Sequence, residues 1–277
     1  MTELLTVDGG TIAYEVTGTG PLVVLAPGMG NARDAYRFVA PRLAAAGYRV
    51  ATVDLRGAGE SSAVWPSYTR TDIAGDLIAV IRHLGGPAVL VGHSISGGAA
   101  TIAAAQAPDL ITGLVELAPF TLKQSFKLGD LRVASYRKGM LKMSGVMLRG
   151  SLASWRSYLE LAYPGRRPAD WTAHLAAVDA MLREPGRQAA LQGMTKTTPA
   201  DAEAQLGNVR CPVLIIEGSL DPDWADPRAE GEAIVAKLAP GQARLEVIEG
   251  AGHYPHAQYP DEVVDLILSF VRSDARA

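Results

Sequence analysis

A chain of 277 residues with 48% apolar content is long enough to bury a sizeable core, as one large α/β domain or two small ones. Its net charge of −3 argues against a nucleic-acid binder, and no apolar run approaches the roughly eighteen residues that a membrane span requires. The single cysteine, Cys211, excludes an internal disulfide and a CxxC knuckle, and the five histidines show no HExxH or HxH spacing, so no metal site is expected.

The opening MTELLTVDGG lacks the basic and apolar blocks of a secretory signal, which points to the cytoplasm. TIAYEV (11–16) and PLVVLAP (21–27) read as strands, and Arg33 to Ala46 reads as a helix stopped by Gly47. YRVATVD (48–54) is the next strand, followed by a helix from Asp72 to Leu84 that ends at Gly85 and Gly86. The strand AVLVG (88–92), a helix from Ser96 to Ala107 and the strand ITGLVELA (111–118) complete this half. From Phe120 to about Leu206 no strand-like run occurs, and helical periodicity dominates. The alternation then resumes with CPVLIIEG, a helix from Pro227 to Leu238, ARLEVIEG and a last helix opening at Pro260. This rhythm predicts an α/β fold, a doubly wound and mostly parallel sheet, with a core formed by residues 1–119 and 207–277 and an inserted helical cap over 120–206. Charge divides the chain the same way. Residues 120–200 hold thirteen Lys and Arg against five acids, a local +8, so the remainder carries −11.

Ligands of open parallel sheets collect beyond the carboxyl ends of the strands. There GHSIS (92–96) matches the first four positions of GxSxG, a strand–turn–helix elbow that exposes its serine, with Ser96 at the place of the last glycine. Ser94 is therefore either a plain turn residue or a nucleophile, and a nucleophilic serine needs a base oriented by a third group. CPVLIIEG ends in SLDPDW and places Asp221 past its strand, with Asp223 and Asp226 as competitors; ARLEVIEG ends in AGHYPH and does the same for His253, with His256 as the competitor. Oxyanion donors would be the backbone amides of Ile95 and of Met29, the latter freed by Gly28 and Gly30 in PGMGNARDAY. That loop lacks GxGxxG spacing and a lysine, which argues against a phosphate cradle. His83 and His174 read as structural.

PGMG, DLRGAGESS, GHSISGG, EGSLDPD and GAGHYPHAQYPDEV together resemble the motifs of the α/β-hydrolase superfamily, in its lidded esterase, lipase and C–C hydrolase branch, with Pro27 where histidine is common. The resemblance spans 21–119 and 207–272 and leaves the insertion generic. It implies Ser94 as nucleophile, His253 as base and then acid, Asp221 as its orienting carboxylate, Met29 and Ile95 as oxyanion donors, and Asp54, Arg56 and Ser61 as braces of a loop. No metal or organic cofactor is implied. Met140, Met143 and Met147 recur at helical spacing, and with Trp155 they are candidates for an apolar substrate pocket; Phe126, Tyr136, Tyr158 and Trp171 belong to the same insertion. The basic cap over an acidic core would steer an anionic substrate or an acidic carrier protein. The expected function is serine-dependent hydrolysis of small to medium carboxylic esters or lactones. The alternatives are C–C cleavage, perhydrolysis or lyase chemistry on the same residues, and a non-catalytic ligand-binding protein.

Overall fold

The computed structural model of the chain describes residues 1–124 and 127–274. Phe126 lies outside the described residues. The strands are β1 (Glu3–Val7), β2 (Gly10–Thr17), β3 (Leu22–Ala26), β4 (Arg49–Val53), β5 (Ala88–His93), β6 (Ile111–Leu117), β7 (Val213–Gly218) and β8 (Ala243–Ile248). They form one sheet in the order β1-β2-β4-β3-β5-β6-β7-β8. β1–β2 and β2–β4 are antiparallel, and the other pairings are parallel.

The helices are α1 (Val39–Ala45), α2 (Arg70–His83), α3 (Ile95–Gln106), α4 (Ala134–Arg149), α5 (Leu152–Ala162), α6 (Trp171–Leu182), α7 (Arg187–Thr195), α8 (Ala200–Glu203), α9 (Pro227–Val235), α10 (Pro255–Gln258) and α11 (Pro260–Asp274). Val39 and Leu43 of α1 and Val263, Ile267 and Phe270 of α11 pack on one face of the sheet. Ile73, Leu77 and Ile81 of α2, the alanines of α3 and Ile234 of α9 pack on the other. Coverage on both faces explains why β3 and β7 are wholly buried and, apart from the buried Glu217, apolar without alternation.

Three features differ from the sequence reading. ELLTV is a strand, β1, turned onto β2 through Asp8 and Gly9, with Gly9 at φ +87. An Asp-Gly pair between two runs of strand residues is the local code for such a hairpin. The helix expected over Arg33–Ala46 is broken into a 3-10 turn, Arg33–Tyr36, and α1. Pro41 accounts for the break, because a continuous helix would need its missing N–H and would drive its ring into the carbonyl of Arg37. α2 begins at Arg70, two residues before the expected Asp72, because Thr69 and Asp72 form a reciprocal capping box.

Between β6 and β7 the described residues form only helices and 3-10 turns, and α4–α7 carry a hydrophobic cluster that includes Val146, Trp155, Leu159, Leu175 and Leu191. Tyr254 and Ala257, which follow β8, pack into the same cluster and join it to the end of the sheet. Among the described residues, no helix is long and apolar enough to cross a membrane.

Candidate active site

β5 ends at His93 and α3 starts at Ile95, so a single residue makes the turn. That residue, Ser94, has φ 55 and ψ −119, a conformation that costs a non-glycine residue about 1–3 kcal/mol. Its neighbours hold it there: Ser94 N donates to Leu117 O (2.9 Å), while Gly97 N and Phe120 N donate to Ser94 O (2.9 and 3.1 Å). A Cβ on Gly92 would stand 2.2 Å from Ser96 O, so the tightness of the turn demands glycine there. Ser96 does more than tolerate the crowding. Its hydroxyl donates to Pro27 O at 2.6 Å and ties α3 to the loop after β3. In that loop, a Cβ on Gly28 would lie 3.1 Å from Ser94 Cβ, so the backbone before Met29 passes directly beside the serine. Among the described residues, the turn bonds of the elbow and the loop include none from the amides of Met29 and Ile95.

Asp221 and His253 follow β7 and β8, and both are buried. His253 Nδ1 lies 2.8 Å from Asp221 Oδ2, and His253 N donates to Ala162 O of α5 at 3.0 Å. A second carboxylate, Asp223, places Oδ2 at 3.3 Å from the same ring nitrogen. Its amide donates to Asp221 Oδ1 (2.9 Å), and Tyr158 of α5 donates its hydroxyl to Asp223 Oδ2 (2.5 Å). Burial opposes a charge on His253, but the two carboxylates outweigh it and lift the imidazole to about 9. Burial also pushes Asp223 up to about 6, against the pull of His253. Asp226 is elsewhere, capping the start of α9.

His256 is fully buried, stacks on Tyr36 with ring centroids 4.9 Å apart, and finds no hydrogen-bond partner for either nitrogen among the described residues. Burial drives it down to about 3, so it is neutral across the physiological range. His93 lies between the two, donating Nε2–H to His253 O at 2.8 Å. His83 meets the Tyr14 hydroxyl and His174 lies against Asp34, both in other surroundings. Asp54 accepts from the Arg33 side chain and from Glu60 N, Arg56 is paired with Asp76, and Ser61 bonds Ala13 N and Asp54 O; these contacts fix the loop after β4.

Ser94 and His253 open on one cavity of about 300 Å³, which Met29, Met140, Met143, Met147, Trp155, Phe120, Tyr136 and Tyr158 also line. Trp171 is absent from its lining and packs on Tyr163 instead, with centroids 4.3 Å apart. Donor atoms of Asp221, Asp223 and His253 lie within 4.8 Å of one another, the distance range of a cation site. The hydrogen bonds that join these residues use the lone pairs a cation would take. Three features of the site had no sequence signal: the Tyr158–Asp223 contact, the Ser96 tie to Pro27, and the buried Arg70 in the cavity wall.

A mostly parallel sheet with a one-residue serine elbow after β5, and helices entered after β6, defines an α/β hydrolase. The chain belongs to the alpha/beta hydrolase family, whose pattern matches residues 23–266, and it is a hydrolase. It is 28% identical to the 2-(acetamidomethylene)succinate hydrolase of Mesorhizobium japonicum, over 96% of this chain and 94% of that protein. It is also 28% identical to the pimeloyl-[acyl-carrier protein] methyl ester esterase of Neisseria meningitidis, over 92% and 94% of the two chains. Among solved structures, a malate-bound thermophilic esterase from Thermogutta terrifontis superimposes with a TM-score of 0.76, at 25% identity, covering 99% of both chains.

Proposed function

We propose that this protein is a serine esterase that hydrolyses small to medium carboxylic esters or lactones through an acyl-enzyme on Ser94. The observation that carries the reading is a serine held in a strained turn on the same cavity as an imidazole whose far nitrogen is bound to a buried carboxylate. In the first half-reaction His253 Nε2 takes the Ser94 proton as Oγ attacks the carbonyl, and the resulting imidazolium is stabilised by Asp221. The tetrahedral oxyanion accepts from the amides of Met29 and Ile95, each worth roughly 3–4 kcal/mol in the transition state. His253 returns the proton to the leaving alcohol, then removes one from the water that hydrolyses the acyl-enzyme. All of these steps use the chain's own groups and water.

Residues 120–206 serve as the cap of this site, and Met140, Met143, Met147 and Trp155 give the acyl group an apolar wall. Anionic substrates are favoured. Two similar proteins act on or hold dicarboxylates, a succinate derivative in one and malate in the other, and a third acts on an acyl group linked to a carrier protein. The +8 carried by residues 120–200 supplies a complementary field for a carboxylate or an acidic carrier. On p-nitrophenyl butyrate, Ser94→Ala and His253→Ala should each lose at least roughly 10³-fold in kcat, while His256→Ala stays within about tenfold of wild type. Equal losses in His253→Ala and His256→Ala would mean that the base is misassigned.

A further inference from the structure

Three arginines are buried in the described structure: Arg56, Arg70 and Arg187. Arg56 binds Asp76 through two nitrogens at 2.7 and 2.9 Å, and Arg187 has Glu184 at 3.5 Å. Arg70 is the most buried of the three, 3% exposed, yet among the described residues no carboxylate oxygen lies within 4.0 Å of it. Its Nε donates to Phe120 O (2.9 Å) and Nη1 to Thr197 Oγ1 (3.2 Å), which leaves Nη2 with no acceptor among the described residues. Burial pulls the guanidinium down to about 10, against the pull of Asp201, so it stays cationic at neutral pH. A buried charge without a counter-charge is costly, and a ligand anion is the ordinary way to offset it.

The position of this cation is specific. Arg70 lines the same cavity as Ser94. It lies along the first turn of α3, where a Cβ on Gly98 would come within 2.8 Å of Arg70 Cδ and 3.0 Å of Nε, so glycine leaves the slot that the side chain fills. Ser94 and Gly98 are one helical turn apart, roughly 5–6 Å. Asp223 also lines the cavity, 3.3 Å from His253 Nδ1, and would repel a carboxylate brought to the His253 side.

We propose that Arg70 is a specificity-determining residue that binds a carboxylate carried by the substrate a few bonds from the scissile ester, so that the favoured substrates are half-esters or lactones of dicarboxylic acids. This rests on Ser94 being the nucleophile. The planar guanidinium presents Nη2, and shares Nη1, toward one carboxylate in the charge-assisted geometry that suits arginine.

The test compares two p-nitrophenyl esters: the glutarate half-ester and a neutral isostere with an isopropyl group in place of the carboxylate. Wild type should prefer the anionic ester in kcat/KM, and Arg70→Gln should lower the anionic-to-neutral ratio by about tenfold to a hundredfold, chiefly through KM. Arg70→Lys, which keeps the charge and loses the fork, should fall between them, and it decides the matter if Arg70→Gln does not fold. Glutarate titrated calorimetrically into Ser94→Ala should bind, and binding should vanish in Ser94→Ala/Arg70→Gln. Equal losses on both esters, or an unchanged ratio, would show that Arg70 only braces Phe120 and Thr197 and would overturn the proposal. If wild type cleaves neither ester, the nucleophile assignment fails, and the glutarate titration still judges the anion site alone.

Discussion

His253 faces two carboxylates on one ring nitrogen, Asp221 at 2.8 Å and Asp223 at 3.3 Å, and both raise the affinity of the imidazole for a proton. With His253 as the proposed base, its neutral ring is the active form, so kcat/KM should rise with pH through the raised value of His253 rather than through the ordinary histidine range. Asp223→Asn removes one carboxylate while keeping an oxygen for Tyr158. It should therefore move the acid limb of the kcat/KM profile to lower pH by about one pH unit. Asp221→Asn, by contrast, should cost on the order of 10⁴-fold in kcat, because the amide can hold the wrong tautomer of His253 and no longer stabilises its imidazolium. An unmoved limb in Asp223→Asn would show that Asp223 does not act on the base. At this scale the serine, the imidazole and the first carboxylate were legible in the sequence, because each follows a strand end and a local turn. Asp223 was legible only as a competitor. Its approach to His253 depends on Tyr158, 65 residues away in the chain, and no local pattern encodes that contact.

The elbow is built from two elements that nearly collide, and Ser96 shows how a departure from the glycine pattern is used. Its hydroxyl holds the Pro27 carbonyl at 2.6 Å and so fixes the loop that carries the Met29 amide. Ser96→Ala should leave that carbonyl without its partner, destabilise the fold by about 1–3 kcal/mol, and lower kcat by roughly tenfold with little change in KM, because the Met29 amide proposed as an oxyanion donor loosens while the substrate wall is untouched. A kcat equal to wild type in a protein of reduced Tm would limit Ser96 to a structural role. Element types were largely legible, since the parallel strands and their helices have strong periodicities, and the element boundaries shifted where capping or proline chemistry intervened, as at Thr69 and Pro41. β1 was missed because its residues are mostly exposed and offer only the Asp-Gly turn as a signal.

Across the whole molecule, a largely apolar cavity lies between the end of the sheet and the helices that follow β6, with Ser94, His253 and Arg70 among its lining residues. The charge division between residues 120–200 and the rest was visible in the sequence, but the buried Arg70 was not, since an arginine at the first turn of a helix ordinarily points to water. Catalysis as proposed depends on the serine oxygen being activated by the imidazole in the folded protein. Reaction of the protein with a fluorophosphonate, followed by peptide mass spectrometry, tests this most directly. A single adduct on the peptide carrying Ser94, absent in Ser94→Ala and formed at least a hundredfold more slowly in His253→Ala, is the predicted result; a folded protein that gains no adduct, or gains it at another residue, would contradict it.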